Sequence, residues 1–409
     1  MATTDTHAAT DLRPVRATLV LGFGALVTHG FGLSLVPAML VFIAAELRVG
    51  YGILGAVVAA GLVAYSLGAT SSGWILDRVP NRGALAASYA ISGLGLAVAA
   101  LAGSVGALAV ATVIMGFSAP VSWSATIHIA GSRVPIGSRA MVMSGASSGA
   151  AVGVLINGVL VRTSSTLHSW RVSFAFAAIL ALVAMVGGLV VIRGTVARPS
   201  MTDSGRRGAF RRTLAFRPGR VVVAAGLVAG LAGFPFSTFL TATALEELEV
   251  SSLATGMIWW LIGGLGALAG PALGRLGDRQ TPLRALTLGA VSYCAGLILL
   301  VATWNYFGLV AAAIGFAFMN YPIWGLTGAI ANERFAPGDA MRVVSLGLVG
   351  ASLGGAFGNW LAGWWIERTA SFRGPVSVLA AVMAALCVWY LMLWRTPMVE
   401  DRTGGAVSF

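Results

Sequence analysis

Along this chain, long apolar runs alternate with short polar breaks. Twelve runs are long enough to cross a membrane: 17–44, 51–76, 83–103, 105–131, 139–163, 171–193, 220–245, 252–274, 283–303, 306–331, 341–366 and 373–395. A hydrocarbon core about 30 Å thick takes roughly 20 residues of helix, and a helix satisfies its own backbone polar groups there. The pattern therefore predicts an all-α polytopic membrane protein with twelve transmembrane helices. Most breaks are brief, such as Asp77-Arg78-Val79-Pro80-Asn81-Arg82 and Asn332-Glu333-Arg334. The stretch from Gly194 to Gly219 is longer, polar and rich in arginine. The expected organisation is a tail over 1–16, a six-helix bundle over 17–193, a linker over 194–219, a second bundle over 220–395 and a tail over 396–409.

Composition strengthens this reading. Of 409 residues, 57% are hydrophobic and 10% charged. A soluble body carries about 25% charged residues, so lipid must be the solvent and a soluble enzyme is excluded. The net charge of +12 does not call for nucleic acid. With the N-terminus inside, 21 of the 26 arginines fall in cytoplasmic segments; the rest are Arg48, Arg162, Arg171, Arg368 and Arg373. That bias predicts a multi-pass protein of the inner (plasma) membrane with both termini and the linker cytoplasmic, its basic side against anionic headgroups. Cys294 and Cys387 lie in apolar runs without metal-ligand or disulfide spacing. The chain has no lysine to complete a Gly-x-x-x-x-Gly-Lys loop. The expected cofactor and metal content is none, and ATP is not the driving force.

The two halves repeat. Asp77-Arg78 recurs as Asp278-Arg279, Gly149 and Gly153 as Gly350 and Gly354, and Trp123 as Trp324, all at an offset of 201; Asn157 and Asn359 miss it by one. Duplicated halves with a site between them are a common plan of secondary transporters.

The run Gly73-Trp74-Ile75-Leu76-Asp77-Arg78-Val79-Pro80-Asn81-Arg82 and its mate from Gly274 through Asp278-Arg279 to Arg284 resemble the signature loop of the major facilitator superfamily. The family pattern is Gly-x-x-x-Asp-Arg/Lys-x-Gly-Arg/Lys-Arg/Lys. Here Pro80 and Asn81 replace its second glycine and one basic residue. The resemblance implies two pseudo-symmetric six-helix bundles and transport by alternating access. It also implies a conformational latch at Gly73, Asp77, Arg78 and Arg82, with Gly274, Asp278 and Arg279 in the second copy, favouring the outward-facing state. Gly145, Gly149 and Gly153 in the fifth helix, and Gly350 and Gly354 in its mate, have the spacing for close helix packing. The fifth helix also resembles that of drug and proton antiporters, with Ala150 in place of their proline.

Candidate chemistry is sparse. No Asp, Glu or Arg falls near mid-membrane, where a charge is costly and usually functional. The Trp170-Arg171 pair resembles one in monocarboxylate and oxalate/formate carriers, but their basic residue in helix eight or eleven is missing. His29 is the titratable side chain at mid-depth, suited to carrying a proton or bonding a solute; its bland reading is a neutral imidazole tied to a neighbouring helix. Ser122 and Trp123 beside Pro120, Thr238 after Pro235, and Asn320, Tyr321 and Trp324 around Pro322 complete the expected substrate-binding set, since proline frees carbonyls that can serve a cavity. The alternatives for these are hydroxyls bonded to their own helix and tryptophans in an interfacial belt.

The expected function is a permease for a small organic solute, neutral or a weak acid of the monocarboxylate kind, working as a monomer in the bilayer with protons as a candidate coupling ion. An efflux carrier for hydrophobic drugs or metabolites is one alternative. A non-transporting sensor or intramembrane enzyme is another, disfavoured by the short linker and the absence of a buried dyad.

Overall fold

The computed structural model describes residues 14–134, 139–192, 217–334 and 337–395. Twelve helices there are long and apolar enough to cross a membrane. We number them α1 (Pro14–Leu47), α2 (Tyr51–Arg78), α3 (Asn81–Ala100), α4 (Val105–Arg133), α5 (Arg139–Leu167), α6 (Arg171–Val191), α7 (Arg217–Ala242, continued by Thr243–Glu247), α8 (Ser252–Arg279), α9 (Pro282–Thr303), α10 (Tyr306–Asn320 and Pro322–Arg334), α11 (Pro337–Thr369) and α12 (Arg373–Arg395). Most of the expected linker and both tails lie outside the described residues. Large apolar side chains such as Leu67, Leu94 and Leu268 are exposed on the outer faces, where lipid is the fitting solvent.

Local sequence explains the helix ends. Ser104, Ser251, Thr281 and Asn305 each accept a hydrogen bond from the backbone N–H three residues on, at 3.0–3.3 Å, the usual N-cap. Arg48 and Glu249 close α1 and α7 in the left-handed region, with φ of 54° and 51°. α10 breaks at Tyr321, which keeps helical φ and ψ of −86° and −44°, because Pro322 has no N–H to give to the ladder. The motif residues Gly73–Arg78 and Gly274–Arg279 occupy the last turns of α2 and α8 rather than the loops after them. α2 stops only at Val79-Pro80 and α8 runs through Pro271 to Arg279, so the charged side chains reach the interface from the helix itself.

Helix crossings repeat between the halves. A methyl group added at Gly153 of α5 would meet the Leu26 carbonyl of α1; at Gly354 of α11 it would meet the Leu227 carbonyl of α7. Gly55 faces the Asn359 carbonyl as Gly256 faces the Gly158 carbonyl. That second pair matches Asn359 with Gly158, so Asn157 and Asn359 are not counterparts.

The offset slips once, with a structural cause. Gly30 meets the Ala150 carbonyl and Gly230 the Ala351 carbonyl, an offset of 200 on one side and 201 on the other. α1 contains a π turn, Leu26–Phe31, that places one extra residue there; α7 has its own later, at Thr243–Glu247, which restores 201 by Arg48 and Glu249. Leu26-Val27-Thr28-His29-Gly30 thus stands opposite Leu227-Val228-Ala229-Gly230. His29 lies in the inserted turn.

The halves meet along α2–α11, α5–α8 and α1–α7. We call the end bearing Arg78, Arg82, Arg275 and Arg279 the basic end, and the opposite one the far end. Both long seams are closed at the far end. Gly52 and Gly363 touch across α2–α11, Gly158 and Gly256 across α5–α8, and Tyr51 packs edge-on against Phe239 and Phe372. At mid-depth Ser66 and Ser352 hydrogen-bond at 2.6 Å, and Ser148 reaches the Ala267 carbonyl at 3.4 Å. Beyond this level Gly73, Gly270 and Gly274 face open space. Ser66 and Ala267 are repeat mates, so the two seams part at the same height.

Candidate functional site

The arginines beside tryptophans sort the aromatics by depth. Arg78 lies over Trp74, Arg171 over Trp170, Arg368 over Trp364 and Arg373 over Trp304. These are helix-end pairs of the interfacial kind. Arg171 also pairs with Glu46 and donates to the Ala102 carbonyl at 2.7 Å, so it ties α1, the connection after α3 and α6 at the far end. Trp123 and Trp324 lie in helix interiors and are half-buried.

Around His29 the structure gathers residues from three helices. Thr28 and Gly30 are buried while His29 is half-buried. The imidazole meets Tyr65 of α2 and Trp123 of α4 edge-on, with centroids 6.2 and 5.8 Å apart. Nδ1 lies 3.0 Å from the Thr28 hydroxyl, which donates to the Gly24 carbonyl at 3.0 Å and accepts from Ser122 at 3.0 Å. Ser122 is itself buried; it bears on any ligand through Thr28 and His29. Thr28 and Tyr65 were absent from the sequence-based set.

The α10 residues form a separate group. Tyr321 lays its ring on Gly266 of α8, and Asn320 is turned toward Gly233 of α7. Asn320, Tyr321 and Trp324 are each half-buried, whereas Thr238 is buried. Among the described residues, no hydrogen bond or ring contact joins this group to the His29 cluster. Several other hydroxyls spend their protons locally: Ser118 on Met115, Ser237 on Phe234 and Thr327 on Ile323, each a backbone carbonyl at 2.6–2.9 Å.

The small-residue positions are helix crossings. Gly145 faces Thr18 and Gly149 faces Gly22, while Gly350 and Gly354 approach α7 at Val223 and Leu227. At the basic end, Asp77 lies beside His128 and makes no hydrogen bond or ion pair among the described residues. Arg78 donates to the Trp74 carbonyl at 3.2 Å, and Arg82 donates to the Leu189 carbonyl of α6. Asp278 and Arg279 are exposed.

Twelve membrane-crossing helices in two repeated halves form the scaffold. The sequence matches the Major Facilitator Superfamily over residues 21–335, and the chain belongs to that family. Its fold is shared with solved transporters. A mutant form of the nucleoside transporter NupG superposes with a TM-score of 0.74 at 11% identity, covering 92% of this chain and 100% of that one. A D-xylose-proton symporter gives 0.73 at 16% identity, covering 92% and 97%. A bacterial homologue of the human lysosomal transporter Spinster, solved inward-facing and unoccupied, gives 0.72 at 15%, covering 93% and 96%. At these identities the likeness is one of fold. The family and these neighbours are transporters rather than enzymes.

Proposed function

We propose that this chain moves a small organic solute, neutral or weakly acidic, across the cell's inner membrane by alternating access, coupled to protons through His29. One observation carries the reading: both inter-half seams are closed at the far end and part at one height toward the basic end, with the His29 cluster on α1, α2 and α4. That is the geometry expected of one half-cycle of a rocking carrier. Among the described residues, Asp, Glu and Arg keep to the outer turns of the helices, so a fixed charge for a dianion is missing and His29 is the candidate proton carrier at this depth. With the basic end cytoplasmic, this state is inward-open. The solutes of the nucleoside and xylose carriers are reasonable first probes, beside monocarboxylates. The protein acts as a monomer in this reading, because each half supplies the other's seam.

A thermal-stability screen of the purified protein should find stabilisation by sugars, nucleosides or small acids, because a ligand stabilises the state it binds. Stabilisation by hydrophobic drugs alone would move the reading to efflux. Orientation has a separate check. Cysteines at Ser204 and Ser165, in a background without Cys294 and Cys387, should label from opposite faces of the membrane; labelling of both from outside intact cells would overturn the sidedness.

A further inference from the structure

Resting on the reading of His29 as a cavity-facing group, we propose that Thr28 and Ser122 lock its imidazole in one tautomer, with Nδ1 protonated and Nε2 bare, so that the solute it meets must bring a hydrogen-bond donor such as a hydroxyl or an amide N–H.

The Thr28 hydroxyl has one hydrogen and three polar neighbours, the Gly24 carbonyl, the Ser122 hydroxyl and His29 Nδ1, all at 3.0 Å. A carbonyl can only accept, and the bond to it is the usual back-bond of a helical threonine. Once the Thr28 proton goes to Gly24, the oxygen turns lone pairs toward Ser122 and His29. Ser122 meets the same oxygen from α4 and shares its single hydrogen between Thr28 and the Ala119 carbonyl at 2.7 Å, so its hold is weaker than that of Thr28. Only a protonated Nδ1 bonds the remaining lone pair, and a neutral imidazole has one N–H to place. Nε2 is left as an acceptor.

The backbone makes this contact available. Adjacent residues of an α-helix point about 100° apart and do not face each other. The π turn Leu26–Phe31 changes that spacing, and such turns recur at functional sites. Tyr65 and Trp123 then fix the ring from two sides. A bare Nε2 accepts from an O–H or N–H and offers nothing to a carboxylate or ether oxygen. Thr28 and Ser122 are positioning residues here, because they act on the solute through the imidazole.

Nitrogen NMR of protein carrying isotope-labelled histidine, in lipid nanodiscs without solute, reads the tautomer directly. The chain has four histidines, and the signal lost in His29→Gln belongs to His29. We expect Nδ1 protonated and Nε2 bare. Thr28→Val should shift the tautomer ratio about fivefold toward the other form, the worth of one ordinary hydrogen bond, and Ser122→Ala by less, with thermal unfolding confirming that both variants fold. A proton on Nε2 in the native protein overturns the proposal, as does an unchanged ratio in a folded Thr28→Val. The recognition claim is probed with glycerol and its donor-free trimethyl ether. Glycerol should perturb the Nε2 signal and the ether should not; equal responses overturn the donor requirement. If the tautomer is as stated but His29→Gln accumulates solute like the native protein, the transport reading of His29 fails and the lock stands.

Discussion

At mid-depth the amino-terminal half carries Val27-Thr28-His29 on its first helix, and the carboxy-terminal half carries Val228-Ala229 at the same place. Ser122 on α4 has Ile323 as its mate on α10, and Tyr65 on α2 has Gly266 on α8. The tyrosine is not lost from the second half but moved: Tyr321 comes from α10 and fills the space over Gly266. The halves thus keep the same crossings, Gly153 on Leu26 and Gly354 on Leu227, while among the described residues the Ser122–Thr28–His29 chain has no counterpart in the second half. The difference teaches that packing between helices sets the scaffold, and that one inserted residue on a first helix is enough to place a polar group inside it.

The largest effect should fall on what the halves share. Gly153→Leu and Gly354→Leu would each force a side chain into a neighbouring backbone. Overpacking of this kind costs on the order of 3 kcal/mol. Thermal unfolding in detergent should show both variants losing stability alike. A loss in one half and none in the other would mean that the crossings are not equivalent.

Next comes what they do not share. His29→Gln should abolish accumulation against a gradient while sparing counterflow, measured on the same proteoliposomes. Intact uphill transport would remove the histidine from coupling. Asn320→Ala and Trp324→Ala should instead weaken affinity in both assays, roughly tenfold or about 1.4 kcal/mol. Trp123→Ala separates the two behaviours, because Trp123 touches His29 at 5.8 Å and Trp324 does not. It should impair accumulation more than affinity. If Trp123→Ala and Trp324→Ala behave identically, the functional asymmetry of the halves is gone.

Much of the scaffold was legible beforehand. Apolar run length fixed twelve helices to within a few residues of their ends; of the prolines it offered, Pro322 breaks α10 while Pro120 and Pro235 lie inside continuous helices. The repeat offset held for Gly153 because α5 and α11 keep one register, with matched crossings on Leu26 and Leu227. The slip at His29 was also in the text, as Leu-Val-Thr-His-Gly against Leu-Val-Ala-Gly, but two short strings do not reveal a π turn until a neighbouring helix shows which glycines coincide. Thr28 and Tyr65 were hidden for a different reason. A threonine on an apolar helix usually bonds its own backbone, and only the approach of α4 gives its oxygen further partners. Helix depth singled out His29, Trp123 and Trp324; which of them touch depends on the rotation of each helix, and hydropathy does not encode it.

The smallest effect concerns the basic end, and its sign follows from the state observed. Asp77 is half-buried and unpaired among the described residues, on the last turn of a helix whose Gly73 faces open space. The latch that the resemblance implies at Asp77 belongs to the opposite state, in which the basic end is shut. Asp77→Asn should leave the stability of this state unchanged and weaken only the state in which the basic end is shut. A charge-assisted hydrogen bond is worth about 1.5 kcal/mol, so the population should move roughly tenfold toward the open basic end. Asp278 is exposed, and a charge so placed contributes about 0–1 kcal/mol, so Asp278→Asn should shift the balance roughly fivefold or less. Alkylation rates of a cysteine at Gly73, in a background without Cys294 and Cys387, read both. A faster rate in Asp77→Asn, with Asp278→Asn near the starting protein, would extend the asymmetry of the halves from the interior to the gate. Equal rates in all three proteins would confine it to the neighbourhood of His29 and remove the latch from this carrier.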